Sequence, residues 1–92
     1  MAVYLVTWDL NKESDYKNTS KELHAHLDRL ETIKHPGLDS VRFVSTSKSA
    51  KELIEYLGPV LDADDKIVAT QMKDSYWGWV SKTVWEWIAA RI

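Results

Sequence analysis

The sequence predicts an α+β fold, with a four-stranded antiparallel sheet, two helices on one face of it and a third helix at the C-terminus. Four short segments have the composition of strands, and amphipathic segments separate the first strand from the second and the third from the fourth. The chain then ends in a tryptophan-rich segment with helical spacing. With 92 residues, we expect one domain over 1–92 with a C-terminal extension at 76–92.

Local signals place the elements. The first strand is apolar almost without interruption, so both of its faces are expected to be covered. Pro36 and Gly37 form a turn signal between the second and third strands. Ser49 and Glu52 fit a capping box at the start of the second helix. The predicted strands are 2–10, 32–35, 39–46 and 66–72, and the predicted helices are 15–30, 49–57 and 81–92.

This order of elements favours a ferredoxin-like βαββαβ arrangement, because crossover connections in one sheet are right-handed and the two split units then interleave. Alternation along each strand divides its residues between two faces. To the helix-covered face we assign Val3, Leu5, Val41, Phe43, Ile67 and Ala69. To the opposite face we assign Tyr4, Val6, Trp8, Arg42, Val44, Val68, Thr70 and Met72.

The second set is too apolar to face water, so something is expected to cover it. Either a second copy packs sheet against sheet across a twofold axis, or the C-terminal helix folds back using Val80, Val84, Trp87 and Ile88. We favour a homodimer, because aromatic residues are enriched at interfaces. The expected interface residues are Tyr4, Trp8, Val44, Trp77, Trp79, Trp85 and Trp87.

Three segments carry a resemblance to known families: "VYLVTWDLN", "LDSVRFVSTSKSA" and "LDADDKIVATQMK". Together and in this order they are similar to the small SinR-type proteins, which resemble the CRISPR-associated Cas-two family and the VapD toxins. The similarity covers about residues 2–73. It implies a ferredoxin-like homodimer that cuts RNA or DNA at phosphodiester bonds, or an inactive dimer that holds nucleic acid.

The same resemblance implies a role for Asp9. In the nuclease relatives an aspartate at the end of the first strand helps to bind a divalent metal near the dimer axis, and Asp9 has the matching position. A carboxylate is a hard oxygen ligand that suits Mg²⁺ or Mn²⁺, and such a metal activates water for phosphodiester hydrolysis. The alternative is that Asp9 bonds the backbone of the following turn. Asn11 and Arg42 are the candidates for contact with nucleic acid.

Composition restricts the chemistry further. The net charge is −2, whereas proteins that hold nucleic acid by neutralising phosphates are usually basic. The absence of cysteine excludes disulfides and thiolate metal sites. His24 and His26 are two apart on a helix and do not form paired metal ligands. No apolar stretch has the length of a membrane span and no signal segment is visible, so a cytoplasmic location is expected.

The tryptophan-rich end of the chain has two possible roles. Indole rings stack on unpaired bases, but they also dominate packing in cores and interfaces. Two functions therefore remain. The first is a metal-dependent, homodimeric endonuclease with Asp9 at the metal. The second is a non-catalytic dimeric module that binds nucleic acid, or a protein partner through its C-terminal segment.

Overall fold

The structure is a computed structural model and describes residues 1–10, 16–73 and 75–92. It confirms the α+β class and the four-stranded antiparallel sheet. Within these ranges no helix is long and apolar enough to cross a membrane. The elements are β1 (Ala2–Asp9), α1 (Tyr16–Asp28), β2 (Glu31–Ile33), β3 (Val41–Thr46), α2 (Ala50–Leu57), a 3₁₀ turn (Gly58–Val60), β4 (Lys66–Gln71) and α3 (Lys82–Arg91).

The sheet has the strand order β2-β3-β1-β4, and each strand runs antiparallel to its neighbours. β1 and β3 are therefore the central strands. The α2 capping box is confirmed: Ser49 accepts from the Glu52 amide through its hydroxyl, and the Glu52 carboxylate accepts from the Ser49 amide. Asp15, the first residue of the predicted first helix, lies outside the described residues.

The first core layer lies between the sheet and the helices α1 and α2. Leu23 and Leu27 of α1 and Leu53 and Leu57 of α2 are completely buried. Each pair is four residues apart, so each helix presents one apolar stripe to the sheet. The sheet residues buried in this layer are Tyr4, Val6, Trp8 and Val44.

The second core layer lies on the other face of the sheet, and α3 covers it. Val84 and Ile88, also four residues apart, pack against Val3 and Phe43, and all four side chains are buried. Each such burial stabilises the fold by roughly 1.5–3 kcal/mol. The half-buried side chains around them include Leu5, Ile33, Val41, Met72, Trp85 and Trp87.

The predicted assignment of strand residues to faces is wrong for β1 and β3. Val6 pairs directly with Ala69, and Trp8 with Ile67, so these residues share one face. Alternation fixes two sets within a strand, but the register between strands decides which sets combine. The residues that lie on the α1 and α2 side, contrary to the prediction, are Tyr4, Val6, Trp8, Arg42 and Val44.

The face opposite α1 and α2 is covered by the chain's own C-terminal helix, which is the alternative that the sequence left open. The bare apolar face that favoured a homodimer is therefore not available over the centre of the sheet. Tyr4, Trp8 and Val44, expected at the dimer interface, lie in the core beneath α1 and α2. What stays uncovered is the β4 side of this face, where Val68 is 59% exposed.

We expect Ile88→Ala to lower the free energy of unfolding by about 2–5 kcal/mol, since a fully buried side chain leaves a cavity between α3 and the sheet. Thr83→Ala, at an exposed position of the same helix, is the control and should change it by less than about 0.5 kcal/mol. Urea unfolding followed by circular dichroism measures both. Equal stabilities of the two variants would contradict the docking of α3.

Candidate functional site

Asp9 ends β1, and its side chain is exposed. Because side chains alternate along a strand, Asp9 lies on the face opposite Trp8, which is the face that α3 covers in part. Its backbone pairs with Lys66 of β4. Thr7, Asp9, Lys66 and Val68 line a shallow cleft of about 190 Å³ at this end of the sheet. The predicted metal ligand is thus accessible, and a lysine rather than a second carboxylate is its neighbour across the strand pair.

The described donors around Asp9 do not by themselves make up a metal site. Within the ranges that the structure describes, no three His, Asp or Glu side chains come together in a way that holds a metal ion. Mg²⁺ is usually bound through one or two carboxylates that act together with substrate phosphates. A single exposed carboxylate beside a lysine supplies little of this. Asn11, the predicted nucleic-acid contact next to Asp9, lies outside the described residues.

Arg42 lies in the core and not on an accessible face. Only 3% of the residue is exposed. Its Nη1 donates to Oδ1 of Asp28 at 2.8 Å and to Oγ1 of Thr32 at 3.0 Å. Its Nη2 donates to Nδ1 of His24 at 3.1 Å. The guanidinium of Arg42, the predicted contact for nucleic acid, is therefore buried, and it joins α1 to β2 and β3.

His24 completes this buried polar cluster. Arginine has only donors, so Nδ1 of His24 accepts and the proton of the neutral ring is on Nε2. The ring also meets Trp8 edge to face, with centroids 5.6 Å apart at 89°. Burial first, and the positive charge of Arg42 next, lower the pKa of His24; Lys34 adds to this effect. The Arg42 hydrogen bond lowers the pKa of Asp28.

Sequence reasoning missed the cluster, although one signal was present. His24 and Asp28 are four residues apart on α1, so their side chains lie on one side of the helix. An arginine on a covered face of a central strand requires such partners, because a buried charge is retained only when it is paired. Even so, the Nε of Arg42 has no hydrogen-bond partner in the described part of the chain.

The four C-terminal tryptophans divide into two pairs. Trp85 and Trp87 of α3 are half-buried around the second core layer. The Arg91 guanidinium lies 4.4 Å from the centroid of the Trp87 ring. Trp77 and Trp79 precede the helix and are 87% and 98% exposed. The four were expected to share one interface, but the structure separates a packed pair from a pair in water.

Trp77 nevertheless contacts a neighbouring ring. Its ring stacks on that of Trp85, with centroids 5.7 Å apart and planes at 16°. Tyr76 also contacts Trp85, at 5.7 Å and 38°. Because Trp77 stays 87% exposed in this stack, the face of its indole away from Trp85 is open to water. The segment therefore presents an aromatic surface that an outside ring can extend.

No protein-family model matches this chain, and no curated protein matches its sequence.

We expect the stability of the protein to decrease as the pH falls below about 6.5. The folded pKa of His24 is lower than that of an unfolded histidine, about 6.5. The unfolded chain then takes up the proton first, and stability is lost until the pH reaches the folded value. Protonation also removes the acceptor that Arg42 uses.

The variant His24→Gln is the matched control, since its amide oxygen accepts from Arg42 without titrating in this range. Urea unfolding at about pH 7 and about pH 5 should show a smaller loss for the variant than for the wild type. Asp28, whose folded pKa is also lowered, loses its contribution only nearer pH 4 and below. The same loss in both proteins would show that His24 is not responsible.

Proposed function

We propose that this protein is a ferredoxin-like module that binds single-stranded nucleic acid through Trp77 and Trp79 and does not cut it. The exposure of these two indole rings, 87% and 98%, carries the proposal. Large aromatic side chains usually bury most of their surface. Two of them beside a single glycine, both in water, indicate a surface that functions through contact with something else.

Stacking geometry favours bases over a protein groove as the partner. Trp77 is already one member of a stack, held by Trp85 from within the fold. An unpaired base continues such a stack, and Trp79 offers a second ring two residues further along. Each base stacked on an aromatic ring contributes about 1–3 kcal/mol, with little dependence on sequence.

The net charge of −2 is consistent with a contact in which stacking outweighs phosphate neutralisation. Lys73 and Lys82 are exposed and flank the tryptophans in sequence. Lys82 also forms a weak ion pair with Glu86, with 3.8 Å between Nζ and Oε1. At most two phosphate contacts are therefore expected from these lysines. Each phosphate contact adds about 0.7 to the slope of log Kd against the logarithm of the salt concentration. Two contacts therefore give a slope of no more than about 1.4.

The strand order β2-β3-β1-β4, antiparallel throughout, supports the ferredoxin-like part of the proposal, since the split βαβ units interleave in this way. The resemblance to the Cas-two and VapD families adds support for nucleic acid as the partner. Fold and resemblance do not decide between cutting and holding. The described surroundings of Asp9 favour holding, since Lys66 lies beside it and the residues that the structure describes bring no second carboxylate to it.

We expect Trp77→Leu/Trp79→Leu to weaken binding of short labelled oligo-U and oligo-dT at least tenfold, because an apolar side chain without a ring loses the stacking energy. Trp77→Phe/Trp79→Phe keeps a ring at each position and should retain part of the affinity. Fluorescence anisotropy at several salt concentrations measures both variants and the salt slope.

Val68→Ala, at an exposed apolar residue of β4, controls for the general loss of surface apolarity. Circular dichroism checks that each variant is folded. The proposal is wrong if the leucine variant binds the oligonucleotides as well as the wild type does. Equal losses for the leucine and phenylalanine variants would show that binding does not depend on an aromatic ring, which contradicts stacking as the contact.

We further expect no cleavage of labelled RNA or DNA that depends on Asp9. Wild type and Asp9→Ala, each with Mg²⁺ or Mn²⁺, should leave the substrates equally intact, because the described residues bring no further carboxylate to Asp9 and one alone does not assemble the charge that phosphodiester hydrolysis needs. Gel analysis of the products is the measurement. Metal-dependent cleavage by the wild type that Asp9→Ala abolishes would establish the nuclease instead.

A further inference from the structure

We propose that a second site, the cleft between α1 and the segment that joins β2 to β3, binds a nucleoside monophosphate group. The cleft has a volume of about 360 Å³, which is within the range of small-molecule sites. It is separate from the tryptophan surface and does not depend on the proposed function. The residues that matter for the argument are Trp8, Tyr16, Ser20, His24, Lys34 and Asp39.

One part of the lining is aromatic. Trp8, Tyr16 and His24 all line the cleft. The rings of Trp8 and His24 contact each other edge to face. A ligand with a flat ring buries its surface well among such side chains. Rigid aromatic walls with a few polar groups are the usual construction of a site for a heterocyclic molecule.

The polar groups match a phosphate. The Nδ1 of His24 is occupied by Arg42, so Nε2 carries the proton of the neutral ring and is a donor directed away from Arg42. The Ser20 hydroxyl and the exposed Lys34 ammonium are two further donors in the lining. The guanidinium of Arg42 behind His24 is already neutralised by Asp28, so the positive charge that attracts a phosphate is that of Lys34.

A carboxylate in the same lining narrows the ligand class. Asp39 is an acceptor and repels a bare anion, so inorganic phosphate alone matches the cleft poorly. An amino group on a heterocyclic base supplies the donor that Asp39 needs. A molecule with a flat amino-bearing ring and a phosphate satisfies both kinds of group, and AMP, CMP and GMP have this chemistry.

Nuclear magnetic resonance titration of the ¹⁵N-labelled protein tests the proposal with AMP, CMP, GMP, adenosine and inorganic phosphate as separate probes. We expect the monophosphates to shift the amides of Ser20, His24 and Lys34 and to bind at least fivefold more tightly than adenosine or phosphate. Equal binding of phosphate alone, or no shift at these amides up to about 5 mM ligand, would overturn it.

Lys34→Ala should weaken monophosphate binding about tenfold, the scale of one charge-assisted contact. Lys51→Ala, an exposed lysine on α2, should leave it unchanged, and an equal loss in both variants would overturn the site. Trp77→Leu/Trp79→Leu should also bind AMP normally. If it does not, the monophosphate occupies the tryptophan surface and the cleft assignment is wrong.

A phosphorylated strand end presents the same chemistry as a free nucleotide. Dinucleotides with and without a 5′-phosphate distinguish the two sources. Tighter binding of the phosphorylated dinucleotide than of AMP indicates a strand end as the ligand, and the reverse order indicates a free nucleotide. Both results support the cleft as a monophosphate site.

Discussion

The burial of the central strand β1 on both faces is the constraint on which the rest of the structure depends. Val3 is buried against α3, while Tyr4, its neighbour in sequence, is buried on the side of α1 and α2. A sheet with apolar residues on both faces needs three layers, and a chain of 92 residues has to build them from its own segments or from a second copy. This chain uses its last helix. That choice determines which surfaces are left for function.

Covering the sheet from within separates the residues that the resemblance implied would work together. A metal ion bound by the Asp9 carboxylates of two subunits requires that their sheets pack face to face. With Val84 and Ile88 packed on that face, the centre of the sheet is closed, and Asp9 stays at the rim beside Lys66. The same packing uses the buried stripe of α3 for the sheet. Trp77 and Trp79, which precede the helix, have no place in either core layer and remain in water.

What the sequence predicted well is local in origin. The capping box of Ser49 and Glu52 and the strand and helix periodicities depend on neighbours within a few residues, and they appear in the structure. The assignment of faces failed because it depends on register. One residue of relative shift exchanges the two faces of a strand, and nothing local distinguishes Val3 from Tyr4 as the residue under α1. The separation of Trp77 from Trp87 also depended on where the helix docks, a tertiary property.

The buried Arg42 shows how the same constraint reaches the cleft. A buried charge near the start of β3 persists because α1 brings Asp28 and His24 to it and β2 brings Thr32. Because Nδ1 of His24 accepts from Arg42, the ring proton is on Nε2. This protonated nitrogen points away from the core. Ser20, four residues earlier on α1, lines the cleft beside His24 because residues at that spacing share a helix face. A residue retained for structural reasons therefore pre-orients a donor at the surface, which is the kind of support that a binding site requires.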